Sequence, residues 1–465
     1  MTRRSISAAR AGPVVTVCAV LAALGGCNRG SATESGADSA TPSDSQSDST
    51  PASFGLLAAD LGGSWFETAT TGVTVANQMD PGTIEPDLCQ DRSTGTFCMM
   101  FAAHQRTAFD GTDEIAFAYS PINMVDGPDG TDVDSQQDLI SRVYAVDRQS
   151  HATRWHIRYL DFSEHYPTDI CNFDPGDPCH PSLSLPAAEY WLCSLHMVHD
   201  FVVTDEDATS VGLWVADTRN DRMVHATLDK TSDCAVVDEI MNAATLPAWS
   251  PYRSVNSVQY STDGTTESML VSNKDAASSE SNDGSSRGKL VEWRRAATPP
   301  GATWQRAWEY PAAAGAYVNA PHGASWYDPG DGHRYVIFAQ SLGASDDGFG
   351  AGSGGSVSAV QVDDATPVYM TDLITTVTMG FPRDVSLLPG NQMLWTDSGC
   401  IGFDCGTLTA DYIVSAPPLT ASGLDGAYSR DHSQQSFVTL PLDGTLPMSS
   451  VSASLFSTDV IPPPQ

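Results

Sequence analysis

The stretch that decides the fold runs through three short segments: His199-Asp200-Phe201-Val202-Val203, then Leu213-Trp214-Val215-Ala216-Asp217, then Arg222-Met223-Val224-His225-Ala226-Thr227-Leu228. Each is a short apolar-rich run separated from the next by turn formers, so each reads as a strand. The opening strand recurs. Asn256-Ser257-Val258-Gln259-Tyr260, His322-Gly323-Ala324-Ser325-Trp326 and Arg383-Asp384-Val385-Ser386-Leu387 follow at intervals of 57, 66 and 61 residues. Second strands at 269–273, 335–340 and 393–397 end, like 213–217, on Asp, Asn or Gln. Third strands follow at 289–293, 357–362 and 412–414, and outer fourth strands at 304–310 and 367–374.

An earlier copy opens at Ala103-His104-Gln105 and continues at 114–119, 142–147 and 155–160. An insertion near 161–192 separates it from His199. A β-helix coil needs only about 20–25 residues and a sandwich has no such period, so the repeat predicts an all-β chain forming a β-propeller of four-stranded antiparallel blades. Six blades are expected, with five or seven as alternatives. The sixth would join a strand near 436–442 to residues 64–75, a closure that protects both edges.

Composition agrees. The 38 Gly and 29 Pro in 465 residues punctuate the chain too often for long helices, while 41% hydrophobic residues supply a core. With 57 acidic residues against 23 Lys and Arg, the formal charge of -34 excludes nucleic acid as a partner. Residues 1–26 carry Arg3, Arg4 and Arg10 before a short apolar run and read as a signal peptide. The run closes on Leu24-Gly25-Gly26-Cys27, which resembles the bacterial lipobox and implies lipidation of Cys27. Residues 27–54 then form a Ser-, Thr- and Asp-rich stalk with too little apolar surface to fold, leaving 55–465 as the propeller domain. The expectation is a monomer on the bacterial cell envelope, periplasmic or surface-exposed, touching membrane only through its lipid.

Eight cysteines remain beyond Cys18 and Cys27, and an exported chain favours pairing them. Spacing suggests Cys89 with Cys98, Cys171 with Cys179, Cys193 with Cys234, and Cys400 with Cys405, among 105 pairings open to eight cysteines. No Cys-x-x-Cys pair points to zinc. The carboxylates of Asp126, Asp129, Asp132 and Asp134 have calcium-loop spacing without the closing Glu, so a solvated acidic loop is the default and no cofactor is expected. The Gly-rich run at 346–355 lacks a following helix and is a linker. Trp155, Trp214, Trp293, Trp308 and Trp395 recur on strands as packing residues.

In a propeller the first strands line the central channel, so His104, His199, Asn256, His322 and Arg383 are expected to meet at its mouth. Here the chain resembles the bacterial aryl sulfotransferases. The resemblance spans residues 196–400 and rests on His199-Asp200-Phe201, Val255-Asn256-Ser257-Val258 with Leu270-Val271-Ser272, Pro321-His322-Gly323, and Arg383 to Leu388 with Pro389-Gly390-Asn391-Gln392-Met393-Leu394. It implies an exported six-bladed propeller that moves a sulfuryl group between phenols through a sulfated histidine. It makes His322 a candidate for the nucleophile or its acid/base helper and His199 a candidate for the other role, with Arg383 and Asn256 gripping sulfate oxygens. His104, Lys274 and Gln340 join Asn256 as substrate-binding candidates. The chain departs from the family at Ser254, where a His is expected, at Pro321 and Gly323, which replace Gln and Asp, and at Gln340, which replaces Asn. A non-catalytic propeller that binds a small molecule, glycan or partner protein is the alternative.

Overall fold

The structure is a computed structural model that describes residues 55–60, 65–68, 75–79, 96–123, 140–166, 173–174, 177–181, 192–249, 252–276, 287–298, 301–313, 316–328, 332–340, 356–363, 367–375, 382–388, 392–397, 411–415, 435–439 and 455–461. The chain divides into Met1–Ala52 and Ser53–Gln465, and all described residues belong to the second unit. The expected signal, Cys27 and the stalk therefore lie outside the described residues, as do the Asp126–Asp134 loop and the Gly-rich run. Among the described residues no helix is long and apolar enough to cross a membrane.

Strands form where the repeat places them. The first sheet contains β1 (Gly55–Asp60), β2 (Trp65–Thr68) and β3 (Val75–Met79), and the next β4 (Thr96–Thr107), β5 (Asp113–Asn123), β6 (Arg142–Asp147) and β7 (Thr153–Ile157). β8 (Tyr159–Asp161) leaves that sheet, and β9 (Phe173–Asp174) pairs with β10 (Asp177–Pro181) inside the insertion. Then come β11 (Val198–Glu206), β12 (Ser210–Asp217), β13 (Arg222–Asp229) and β14 (Cys234–Met241), joined by β8 in parallel beside β14. The following sheet is β15 (Tyr252–Thr262), β16 (Thr266–Ala276), β17 (Arg287–Ala296) and β18 (Gln305–Tyr310), with β19 (Val318–Asn319) paired to β17. The last two are β20 (Pro321–Tyr327) to β23 (Val368–Thr375), through β21 (Tyr335–Gln340) and β22 (Ser356–Gln361), and β24 (Pro382–Leu388) to β27 (Gln435–Thr439), through β25 (Gln392–Asp397) and β26 (Asp411–Ser415). Finally β28 (Leu455–Ile461) pairs antiparallel with β1.

This is an all-β, propeller-like fold. Sheets run antiparallel in chain order except where β28 precedes β1 and where β8 joins β14 in parallel, and the leading strands lie side by side: β28 on β4, β4 on β11, β11 on β15, β15 on β20, β20 on β24, and β24 on β28.

Two expectations are corrected. The strand expected near 436–442 appears as β27, which is the fourth strand beside β26 and does not join the first sheet; the strand that pairs with β1 there is β28, some twenty residues further on. Residues 155–160 are not one strand either. The chain breaks between β7 and β8 because Arg158 and Tyr159 turn their backbone N–H groups to the Asp233 carbonyl, which carries β8 to the neighbouring sheet.

The core is a series of interfaces between neighbouring sheets. Leu57, Ala59, Trp65 and Met79 pack against Ile115, Phe117 and Tyr144; Trp155 and Ile157 against Val215 and Val224; Trp214 and Met223 against Trp249, Val271 and Trp293. Each large apolar side chain buried this way contributes about 1.5–3 kcal/mol. Trp155, Trp214, Trp293 and Trp308 are all buried in such interfaces.

Candidate functional site

The leading strands share a local distortion. The ladder skips one residue on each: Phe101 in β4, His199 in β11, Asn256 in β15, Gly323 in β20 and Arg383 in β24. A β-bulge re-aims the side chain it carries. Two residues before His199 and Asn256 stand Met197 and Ser254, each with φ 51°, and Ala320, with φ 42°, precedes His322 by two. A left-handed residue thus leads into these strands and sets the direction in which the next side chains point.

The result is a cavity of about 460 Å³ lined by His104, His199, Asn256, His322 and Arg383 from five strands. His104 does not occupy the equivalent position in its strand, as the repeat had suggested. Phe101 does, and its ring lies 4.2 Å from that of His199, centroid to centroid. The apolar run Met99 to Ala103 hides that bulge among neighbours of one kind. Lys274 and Gln340 are not among the lining residues. The Lys274 charge nevertheless acts on His199 and His322, whereas the Gln340 amide donates to the hydroxyls of Ser356 and Ser358. Ser254 also lies outside the lining, with its backbone N–H given to Asp221 at 2.7 Å.

His322 is buried, only 1% exposed. Its Nδ1–H donates to the Ala320 carbonyl at 2.7 Å, and its Nε2 lone pair accepts from Nη1 of Arg383 at 3.0 Å. Burial, then the positive charges of Arg383 and Lys274, hold its pKa well below the ordinary histidine value. His199 is buried as well. Its Nδ1–H donates to Oδ1 of Asn256, and burial together with Lys274 and Arg383 pushes its pKa down to about 3. Both imidazoles are therefore neutral at pH 7, each with its lone pair on Nε2. Nδ2 of Asn256 is buried with no hydrogen-bond partner, a donor awaiting an acceptor.

Above this lies a second tier, three residues further along each strand: His104, Val202, Gln259 and Trp326. Its polar members knit the sheets together. Gln259 donates to Oγ of Ser325 at 2.9 Å and accepts from the Trp326 backbone N–H at 3.0 Å, and Ser325 donates to the Val385 carbonyl at 2.9 Å. Asp200 accepts the Val258 backbone N–H at 2.8 Å. Gly323 has φ +32° and sits where a Cβ would be 2.3 Å from Oδ1 of Asp384, so the β20–β24 approach requires glycine there. Asp200, Gln259, Ser325 and Trp326 were not anticipated. The only sequence signal was the Asp that follows both His199 and Arg383.

Comparison with protein-family models finds no match, and comparison with curated proteins finds none. Solved structures similar to this chain include putative 6-phosphogluconolactonases from Bacteroides uniformis (10% identity, 88% of this chain and 99% of that one, TM-score 0.35) and Bacteroides fragilis (9%, 89% and 99%, TM-score 0.37). Another is a Synechocystis apocarotenoid oxygenase mutant (11%, 77% and 66%, TM-score 0.36). None of these three is an aryl sulfotransferase.

Among the described cysteines, Cys193 and Cys234 are disulfide-bonded. Cys89, Cys171, Cys400 and Cys405 lie outside the described residues, and Cys98 and Cys179 are described in their backbone alone.

Proposed function

We propose that the chain is a six-bladed propeller whose channel-mouth cavity binds an aromatic oxyanion ester and transfers its sulfuryl group to a phenol. The observation that carries this reading is the pairing of buried His322 with half-buried Arg383, beside which Asn256 offers an unused N–H donor and Lys274 a second positive charge. In a chain this acidic, a cavity whose charged and donor groups select an anion is a local reversal of field. Phe101, Phe201, Tyr260 and Trp326 line the same cavity and suit an aryl body.

In the reaction, Arg383 turns from His322 to the ester oxygens, and Arg383 with Asn256 holds the charge that spreads over them. The freed Nε2 of His322 attacks sulfur, the S–O(aryl) bond breaks, and the phenolate leaves. Nδ1–H keeps its bond to the Ala320 carbonyl, which fixes the tautomer. An acceptor phenol then attacks the sulfur held on Nε2 and loses its proton, and the S–Nε2 bond breaks to restore the imidazole. Ser254 takes no part, because its position is outside the lining.

The six-bladed reading is supported by the six leading strands that neighbour one another in a cycle. Export, lipid attachment at Cys27, a monomeric state and the Cys193–Cys234 pairing belong to the same proposal. The test incubates the purified protein with p-nitrophenyl sulfate and phenol. Release of nitrophenol that disappears in His322→Ala supports transfer; no release above that control removes it. The second reading, a non-catalytic binder of a small molecule or glycan, is favoured by the direct Arg383–His322 bond, which engages the attacking lone pair. Binding of aryl sulfate without turnover would establish it.

A further inference from the structure

Sulfuryl transfer to a phenol needs a base for the acceptor's proton, and neither His199 nor His322 is placed to hold one. Each is buried against cations, and burial with Lys274 and Arg383 depresses both pKa values. The third cavity histidine differs in every respect. His104 is about one-third exposed (35%), and its Nε2–H donates to Oδ1 of Asp200 at 3.0 Å. A carboxylate can only accept, so the ring's lone pair is on Nδ1. Asp200 is itself fixed, with Oδ1 accepting the Phe201 backbone N–H at 2.8 Å and Oδ2 that of Val258 at 2.8 Å. The His104 ring stands edge-on to Phe201, with centroids 5.2 Å apart and planes at 73°. The imidazole is thus held in place by a carboxylate of a neighbouring strand and open enough to exchange with solvent.

We infer that His104 is the general base for the acceptor hydroxyl, oriented by Asp200, and that the acceptor sits in the second tier of the cavity beside Gln259 and Trp326. This rests on the sulfuryl-transfer reading above and adds a residue to it. As the acceptor oxygen forms its bond to sulfur, its proton passes to Nδ1 of His104 and the S–Nε2 bond to His322 breaks. The imidazolium, paired with Asp200, then loses the proton to water. Asp200 is a positioning residue: it touches neither donor nor acceptor.

The test measures steady-state transfer from p-nitrophenyl sulfate to a series of phenols of graded acidity in the wild type, His104→Ala and Asp200→Asn. The expected loss in His104→Ala is about 100-fold or more for phenol itself and shrinks toward unity for acceptors already ionised at the assay pH. Added imidazole should restore His104→Ala at least several-fold and leave Asp200→Asn, which still holds its own ring, unrescued. Equal losses across the acceptor series with no imidazole rescue, or no loss at all, overturn the assignment. A wild type that turns over no acceptor overturns sulfuryl transfer itself, a different result from a wild type that turns over and a His104→Ala that matches it. His104 is partly exposed, so its alanine variant is expected to melt with the wild type. A lowered melting temperature together with uniform loss counts against the inference.

Discussion

Arg383 and His322, 61 residues apart on neighbouring leading strands, are joined by a 3.0 Å hydrogen bond in which the guanidinium donates to Nε2 of the imidazole. One donor of a half-buried cation thus covers the lone pair of His322 able to act as a nucleophile, and an incoming oxyanion is the natural competitor for that donor. Arg383→Ala should lower turnover of aryl sulfate by about 100- to 1000-fold, and Arg383→Lys should recover only part, since a point charge cannot span two ester oxygens. Nitrophenol release at saturating acceptor measures both.

Asn256 offers its carbonyl to Nδ1–H of His199 and leaves its amide nitrogen for the ligand. Asn256→Asp would place a carboxylate against His199 and remove that donor. The His199 imidazole should then titrate about 1–3 units higher than its value of about 3, visible by NMR of the ring protons, while sulfate binds more weakly by calorimetry.

His196 and His199 are both buried, with pKa values near 3, His196 mainly through burial and then through Arg222 and Arg219. In the unfolded chain each imidazole takes up a proton at about pH 6.5, whereas in the folded chain it resists until about pH 3. The unfolded state therefore binds more protons between these limits. Stability is complete above pH 6.5 and falls as pH drops toward 3, by up to about 1.4 kcal/mol per pH unit for each histidine. Denaturant melts at pH 7, 6, 5 and 4 should show this slope, and His199→Gln should reduce it.

A methyl group at Gly323 would meet Oδ1 of Asp384 at 2.3 Å and its Cα at 2.6 Å, from a backbone with φ +32°. Gly323→Ala is expected to cost about 1–3 kcal/mol, because the neighbour it strikes is partly backbone and cannot swing away. Equilibrium unfolding checks the value. Any accompanying loss of turnover would reflect separation of β20 from β24.

Ring closure has its own electrostatic anchor. Arg148, in the turn after β6, donates through Nε to Glu67 of β2 at 2.9 Å and through Nη2 at 3.0 Å, with both side chains buried. Asn77 of β3 donates to the Arg148 carbonyl at 2.8 Å. Arg148→Met should destabilise the protein by about 3–5 kcal/mol by stranding the Glu67 carboxylate, and Glu67→Gln/Arg148→Met should recover much of that. Chemical denaturation of the two variants makes the comparison.

Strand-forming segments and their period were legible because alternation and turn chemistry act over a few residues: β6 was located to the residue, β13 within one, and β11 and β12 within three. The cavity was legible to the same extent, since His199, Asn256, His322 and Arg383 open repeated units and equivalent positions meet around an axis. Gln340, read from the sequence as a ligand group, stands outside the cavity lining with its amide given to Ser356 and Ser358, a placement that strand ends alike in sequence do not reveal.

Side-chain pattern alone was enough to predict sheets, their antiparallel order and a site built from several repeats, because those follow from short-range preferences and from periodicity. Three things were decided only in the folded chain. Which segment completes the first sheet depends on pairing across the whole length, and β28 prevails over residues 436–442 because the latter have a nearer partner in β26. Which residue carries each bulge depends on register with the adjacent strand, so Phe101 and not His104 stands level with His199. Which imidazoles are held neutral depends on burial and on the charges that surround them, two cations near His199 and His322, and those neighbours come from other strands.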